Sequence, residues 1–423
     1  MTVGHGDLNL ACAAALVDAF VAAGVRHASV SPGSRSAPLA LAVARDDRIE
    51  VHVHLDERAG AFFALGVAKA TGVPAVVMTT SGTAAAELWP AAVEASQSRT
   101  PLLLVTADRP PRLRGTGANQ TIDQDDLFGR YARAYVEPPV PGAADDVAAW
   151  RDAGRRAIEA TLGTPPGPVH VDAPFEEPLV PEGDPAPRTP ADATAPPAVR
   201  EADRDVAATA LEAFIGDHAG RRGVITIGAT RPPATLSLLS LGALLGWPVL
   251  AEPLSGLRLD AGGAGRALAA GQQLVGDPGW RERHRPDVVL QVGATPTTRA
   301  SQALAASAAT LIVLDRDHLD PDPDGRAERR IAVDPELFAA IAWERSQGDD
   351  PIAPTDASWL SAWHEADLVA HAAVDRTLDG WVAPTEPRVA RDLARFVPDA
   401  SILAVGSSTP VRDLDAFMAP RRP

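Results

Sequence analysis

Residues able to do chemistry gather in four segments of the first 124 positions. SVSPGSRSAPLA (29–40) joins an apolar run to a Pro-Gly turn and then to Ser34 and Arg35. Backbone N–H groups at a helix start, with a hydroxyl and a guanidinium beside them, suit a carboxylate or phosphate, although an N-capped turn uses the same residues. In VHVHLDERAGAFFALG (51–66), Asp56, Glu57 and Arg58 end a strand pattern and open an apolar helix. Acidic residues in a first helical turn also simply favour the dipole, so the apolar setting is what singles out Glu57. MTTSGTAAAELWPAAVEA (78–95) puts Gly82 and Thr83 at a helix start that allows close approach to the backbone. LLLVTADRPPRLRGTGANQTIDQ (102–124) runs from a buried strand into Arg109, a proline pair and a long polar glycine loop with Asn119 and Gln120. Such loops often carry binding groups.

The elements that must hold these segments alternate between short apolar strands and helical runs, the pattern of an α/β protein with parallel sheets flanked by helices. Strands are expected at 27–31, 51–55, 75–81, 102–107 and 169–173, with helices over 36–44, 58–70 and 83–96, the last kinked or interrupted by Pro90. All four segments then sit at carboxyl ends of strands, where open α/β sheets bind ligands. PEGDPAPRTPADATAPP (181–197), rich in proline and poor in apolar residues, reads as an extended linker. The organisation expected is a first domain over 1–180, a linker over 181–199 and a second α/β domain over 200–345 with strands at 223–228, 248–252, 287–293 and 310–315. A further linker covers 346–356, and the start of a third domain over 357–423 has two helices and a strand at 402–406. A single strand with two helices buries no sheet, so that third domain is expected to be incomplete.

Composition narrows the partners. The 423 residues carry a net charge of −16, from 39 basic and 55 acidic side chains, which disfavours nucleic acid and anionic membranes. The single cysteine, Cys12, lies in the apolar run LACAAALV and fits a buried thiol in a reducing cytoplasm. The N-terminal apolar run lacks a basic start and is broken by Asp18, so neither a signal peptide nor a membrane insertion is expected.

Taken in order and spacing, SPGSRSAPL, HLDERAG, TTSGTA, TADRPP and GTGANQ resemble the pyrimidine-binding domain of the thiamine diphosphate-dependent carboligases of menaquinone biosynthesis, the 2-succinyl-5-enolpyruvyl-6-hydroxy-3-cyclohexene-1-carboxylate (SEPHCHC) synthases. GPVHVDAPFEEPL (167–179) resembles the end of that domain and VGSSTPVRDLD (405–415) the opening of the family's diphosphate-binding domain; the middle of the chain is similar only weakly. The resemblance implies a thiamine diphosphate-binding fold with a Rossmann-like central domain. It also implies decarboxylation of 2-oxoglutarate, followed by 1,4-addition of the succinyl carbanion to isochorismate. Glu57 matches the glutamate that hydrogen-bonds the aminopyrimidine ring, with Gly82 and Thr83 beside the cofactor. Ser34, Arg35, Arg109 and Gln120 match positions near isochorismate, joined by Arg299 of GATPTTR, where the family often has lysine. Ser408 and Arg412 match the 2-oxoglutarate side. A homo-oligomer, dimer or tetramer, with active sites shared between subunits is also implied.

The family binds the cofactor diphosphate through Mg²⁺ (or Mn²⁺), held by a Gly-Asp motif and an asparagine some 25 to 30 residues later. Here the two asparagines are Asn9 and Asn119, so the Gly-Asp pairs at Gly183, Gly216, Gly276 and Gly348 do not fit that motif. The metal ligands are therefore expected in a C-terminal part that this sequence lacks, and the chain by itself is expected to be inactive. Two other readings remain: a related thiamine diphosphate-dependent carboligase or decarboxylase with another acceptor, for which so many arginines are unnecessary, and a non-catalytic binding remnant of the family. DPDPDG (320–325) begins like a calcium loop but has Ile331 at the twelfth position and reads as an acidic turn. His52 and His54 alternate on one strand face and no other ligand cluster accompanies them, so no zinc site is assigned to them.

Overall fold

The computed structural model describes residues 4–182, 201–230, 236–258, 266–317, 322–348, 351–398 and 401–420. The chain forms two compact units, Met1–Ala198 and Val199–Pro423.

The first unit runs α1 (His5–Ala22), β1 (His27–Val30), α2 (Ala37–Ala44), β2 (Glu50–Val53), α3 (Glu57–Thr71), β3 (Ala75–Thr79), α4 (Thr83–Ala86), α5 (Trp89–Gln97), β4 (Leu102–Asp108), β5 (Tyr135–Val136), α6 (Asp146–Thr161) and β6 (Pro168–Pro174). Its six strands pair in the order β2-β1-β3-β4-β6-β5, all parallel. Strand residues alternate between two buried faces, as a sheet covered on both sides requires. Met78, Val105 and Val171 pack against Leu16 and Phe20 of α1, Leu39 of α2 and Trp150 of α6. Val77 and Leu104 point the other way, against Leu65 of α3 and Leu88 and Ala92 around α5. Each fully buried leucine or phenylalanine contributes roughly 1.5–3 kcal/mol. The helix α1 is long and apolar enough to cross a membrane, yet Leu16, Val17, Phe20 and Val21 are spent on this core and Asp18 pairs with Arg48 at 2.6 Å. Pro90 does not kink a helix; it sits in the first turn of α5, where its missing N–H costs nothing, and the chain breaks between α4 and α5.

The second unit runs α7 (Glu201–His218), β7 (Gly223–Ile227), α8 (Leu236–Leu245), β8 (Val249–Ala251), α9 (Gly271–Gly276), α10 (Pro278–Arg283), β9 (Val288–Val292), α11 (Arg299–Ser307), β10 (Thr310–Leu314), β11 (Ala327–Ile331), α12 (Pro335–Ser346), α13 (Ala357–Asp379), α14 (Glu386–Phe396) and α15 (Thr409–Phe417). Five parallel strands in the order β11-β10-β9-β7-β8 make a doubly wound, Rossmann-like sheet. Phe214, Leu239 and Phe338 cover one face; Leu274, Leu304, Trp359 and Trp363 cover the other. The buried carboxylate of Asp367 ties α13 to this unit by accepting the N–H of Ala270 at 2.7 Å and of Ala269 at 3.2 Å.

The strand expected over 402–406 does not form. Residues 401–406 are exposed and outside any ladder, because a strand exists only by pairing and no described strand lies alongside to complete its hydrogen bonds. Two strands escaped the sequence reading: β5 is only two residues long, and β11 carries Glu328, Arg329 and Arg330 on a sheet edge. Of the 181–199 linker, all but residues 181 and 182 lies outside the described residues, as do the first two residues of DPDPDG; the rest of that motif, Asp322–Gly325, lies in a turn.

Candidate functional site

In the first sheet β1 lies between β2 and β3, so the chain leaves β1 to one side and β3 to the other. This is a topological switch point, and it opens a crevice at the carboxyl ends. The loops after β1 and β3 meet there: Ser31 N–H donates to the Met78 carbonyl at 2.9 Å, and a Cβ added to Gly33 would lie 2.6 Å from Cβ of Thr80. Only glycine at 33 lets the two loops touch. Ser36 Oγ accepts the Gly33 N–H and donates to the Gly33 carbonyl, both at 3.1 Å, closing the turn and leaving Ser34 exposed.

Glu57 opens α3 beside this crevice. Asp56 caps the helix by accepting the N–H groups of Arg58 at 2.9 Å and Ala59 at 3.4 Å. The Arg58 side chain returns to Asp56 at 2.7 Å and reaches Glu87 at 3.5 Å, and its hydrogen bond holds the Asp56 carboxyl down at about 2. With its two neighbours paired to each other, Glu57 is the acid left to a cleft of 410 Å³ whose walls include Leu55, Thr80, Thr83 and Gln120. Gly82, between Thr80 and Thr83, has φ 83° and ψ −143°, a conformation that L side chains rarely adopt, and a Cβ there would meet Cγ of Gln120 at 2.9 Å. The cleft thus presents a carboxylate, exposed backbone and a tight polar wall, which suits the hydrogen-bonding edge of a flat heterocycle.

Arg109 and Gln120 are knitted together over Ser81. Arg109 donates to Ser81 Oγ at 2.8 Å and to the Asn119 carbonyl at 2.7 Å; Ser81 Oγ donates to the Gln120 carbonyl at 3.0 Å, and Gln120 Nε2 donates to the Ser81 carbonyl at 3.1 Å. Gln120 is held at φ 54°, a left-handed conformation rare outside glycine and typical of over-determined sites. Arg35 lies deeper: its guanidinium donates to the Phe175 carbonyl at 2.9 Å and to Glu177 at 3.1 Å. Burial, and then the like charge of Arg109, lowers its pKa, while Glu177 works in the opposite direction.

Beneath these residues is a buried polar network without a sequence motif. Gln124 accepts the Gly82 N–H on Oε1 at 3.0 Å and donates from Nε2 to Asp172 Oδ1 at 2.8 Å. Thr106 Oγ1 donates to the same Asp172 oxygen at 3.0 Å, and His170 Nε2 lies 2.8 Å from that hydroxyl. The hydroxyl hydrogen being committed to Asp172, the ring nitrogen facing it must carry the proton. Burial depresses the His170 imidazole to about 3, so it is neutral. Arg114, at the root of the Gln120 loop, faces four carboxylates: Asp108 and Glu137 at 2.7 Å, Asp125 and Asp172 at 3.3 Å. One guanidinium does not neutralise four acids, and burial followed by the charge of Asp108 pushes Asp172 up to about 7. Burial raises Asp108 as well.

The remaining sequence candidates belong to the second unit. Arg299 starts α11, whose N-cap Thr298 accepts the Ser301 N–H. Ser408 caps α15 at φ 72°, again left-handed, and Arg412 one turn later donates from Nε to the Ser408 carbonyl at 3.2 Å. Thr297, Thr298 and Arg412 line one narrow crevice with Glu252 and Asp415. Burial lifts Asp415 to about 7 against the pull of Arg258, which pairs with it at 3.2 Å.

A family model described as the N-terminal TPP binding domain of thiamine pyrophosphate enzymes matches residues 10–127, the stretch that holds Ser34, Arg35, Glu57, Gly82, Thr83, Arg109 and Gln120. A SEPHCHC synthase of Chloroflexus aurantiacus is 39% identical over 96% of this chain and 70% of its own length. Those of Thermobifida fusca and Geobacillus kaustophilus are 39% and 38% identical over 98% and 96% of the chain, which spans 71% and 70% of their lengths. With relatives this similar over nearly every residue described above, the chain belongs to the family of the 2-succinyl-5-enolpyruvyl-6-hydroxy-3-cyclohexene-1-carboxylate synthases.

Proposed function

We propose that this chain is a transferase that uses thiamine diphosphate to decarboxylate 2-oxoglutarate and to add the succinyl unit in a 1,4 sense to isochorismate, giving SEPHCHC and CO₂ in menaquinone biosynthesis. The observation that carries this reading is the Glu57 carboxylate, which has no ion-pair partner among the described residues and lines a cleft walled by Thr80, Thr83 and Gln120. When bound, thiamine diphosphate supplies the nucleophilic carbon and the electron sink that the decarboxylation needs. Glu57 accepts a hydrogen bond from the aminopyrimidine ring and so sets where that ring carries its protons. Gly82 and Thr83 let the ring lie against the backbone.

Both substrates are dicarboxylates, and arginine is the side chain that holds a carboxylate bidentately. Arg109 and Gln120, fixed by Ser81, together with Ser34 and Arg35, form the isochorismate side; Arg299 joins them, and Ser408 and Arg412 take 2-oxoglutarate. The pyrimidine-binding domain is assigned to 1–180, the Rossmann-like central domain to 200–345 and the start of the diphosphate-binding domain to 357–423. Active sites shared between subunits of a cytoplasmic homodimer or tetramer complete the proposal. Mg²⁺ or Mn²⁺ is the ion proposed for the diphosphate. No residue of this sequence is assigned to it, since none of its Gly-Asp pairs is followed by an asparagine 25 to 30 residues later.

The test is to incubate the full-length protein that carries this sequence with thiamine diphosphate, Mg²⁺, 2-oxoglutarate and isochorismate and follow CO₂ and product mass. Formation of SEPHCHC only when both substrates are present supports the assignment. Equal turnover with a neutral acceptor in place of isochorismate would favour a carboligase of another specificity.

A further inference from the structure

We propose that His27, Glu50 and His52 form a binding site for a divalent transition-metal ion of the zinc type, separate from the thiamine cleft. The parallel register of β1 and β2 pairs His27 with Glu50 and Ser29 with His52, so all three ligands project from one face of two adjacent strands. His27 Nδ1 lies 3.2 Å from His52 Nε2; Glu50 oxygens lie 3.6 Å from His27 Nδ1 and 3.8 Å from His52 Nε2. Tetrahedral zinc with bonds near 2.0–2.1 Å separates its ligand atoms by about 3.3–3.4 Å, so side-chain shifts of a few tenths of an ångström complete the geometry. Among the described residues this is the group of histidine and acidic side chains whose ligand atoms lie within 4.8 Å of one another.

The ligand set selects the ion. Two imidazoles and a carboxylate suit zinc and its neighbours rather than magnesium or calcium, which require oxygen. Three protein ligands leave a fourth position for water, and the side-chain exposures of 33% for His27, 23% for His52 and 69% for Glu50 leave it open to solvent. The ligands stand on strands, which hold geometry better than loops. Phe63 of α3 packs on the His52 ring at 4.6 Å and steadies it. His54, next on the same face, turns instead to Ser29 Oγ at 3.1 Å and is not a ligand. His27 and Glu50 open β1 and β2, and none of the three ligands lines the thiamine cleft, so the two sites do not share residues. An ion here fastens the edge strand that leads to Glu57 onto the sheet interior.

The test is zinc titration of the whole chain after removal of metals by chelator, in competition with a chromophoric chelator, and Co²⁺ substitution read by its visible bands. One ion per chain at micromolar affinity or tighter, with tetrahedral Co²⁺ absorption, is expected. His52→Gln and His27→Gln should each weaken binding roughly tenfold or more, while His54→Gln leaves it unchanged. Glu50→Gln provides the control for folding, because that side chain is largely exposed; it should weaken binding with an unaltered circular dichroism spectrum. Affinity no tighter than millimolar, or the same affinity and stoichiometry in a His27→Gln/His52→Gln protein, would overturn the proposal and leave the pair as an ordinary hydrogen bond between imidazoles.

Discussion

Gln124 accepts the Gly82 N–H at 3.0 Å across 42 residues of sequence. The other end of the same amide donates to Asp172 at 2.8 Å, so the backbone turn at the Glu57 cleft is braced against the buried end of β6. An amide does this because it offers an acceptor and a donor on one rigid plane; a carboxylate or a hydrocarbon of the same size offers only one or neither.

Replacing Gln124 with leucine should therefore leave the Gly82 N–H unmatched in the interior, at about 1–3 kcal/mol for the unsatisfied group, and leave Asp172 Oδ1 with the Thr106 hydroxyl in place of two donors. A lower melting temperature is expected, together with a KM for thiamine diphosphate that rises more than kcat falls, as befits a residue that positions the turn without touching substrate. A stable variant with unchanged cofactor KM would show that the brace is dispensable.

The four chemically dense segments and nearly all strands of the two sheets were legible in the sequence, because buried parallel strands are continuous apolar runs and their loops are marked by Gly, Pro and charge. Gln124, Thr106 and Asp172 were not, because their roles arise from pairing across 18 to 66 residues and no local spacing encodes that. The run 402–406 misled for the converse reason: its apolar composition is that of a strand, but a strand needs a neighbour. His27 likewise became a partner of Glu50 and His52 only through the β1–β2 register.

Glu57→Gln tests the centre of the cleft. The amide has nearly the same shape but lacks the negative charge that makes the carboxylate a strong acceptor, so carboligation should fall by about 10²–10⁴-fold, the range for a lost acid–base function. The fold should be untouched, since Asp56 and not Glu57 caps α3. Retention of most activity in a product assay would remove Glu57 from its assigned role.

The acid cluster around Arg114 predicts a pH dependence of stability. A carboxyl whose pKa is raised on folding stabilises the fold below its unfolded pKa and loses that contribution as pH rises through the folded one. For Asp172 the window runs from 3.8 to about 7. Asp172→Asn, which keeps an acceptor for Thr106 and Gln124, should gain on the wild type in unfolding free energy between pH 5 and pH 8, by at least ~1 kcal/mol, read by denaturant titration at each pH. A difference that stays flat across that range would mean that Asp172 is ionised throughout and that Arg114 carries the cluster unaided.

Arg412 is the sharpest test of the 2-oxoglutarate assignment. One turn into α15, it reaches back to Ser408, whose left-handed backbone places the two side chains side by side. An arginine in that position offers a carboxylate two parallel N–H bonds, and losing a hydrogen bond to a charged group costs about 1.5–3 kcal/mol. Arg412→Met keeps the length and apolar packing of the stem but removes the charge, so kcat/KM for 2-oxoglutarate should fall by roughly 10- to 150-fold. The KM for isochorismate should change little, because Arg109 and Gln120, the residues proposed for that substrate, lie in the other unit. Lysine should restore only part of the loss, because a point charge does not reproduce the planar fork. If instead the isochorismate KM rises and that of 2-oxoglutarate does not, the two sides of the site have been assigned in reverse.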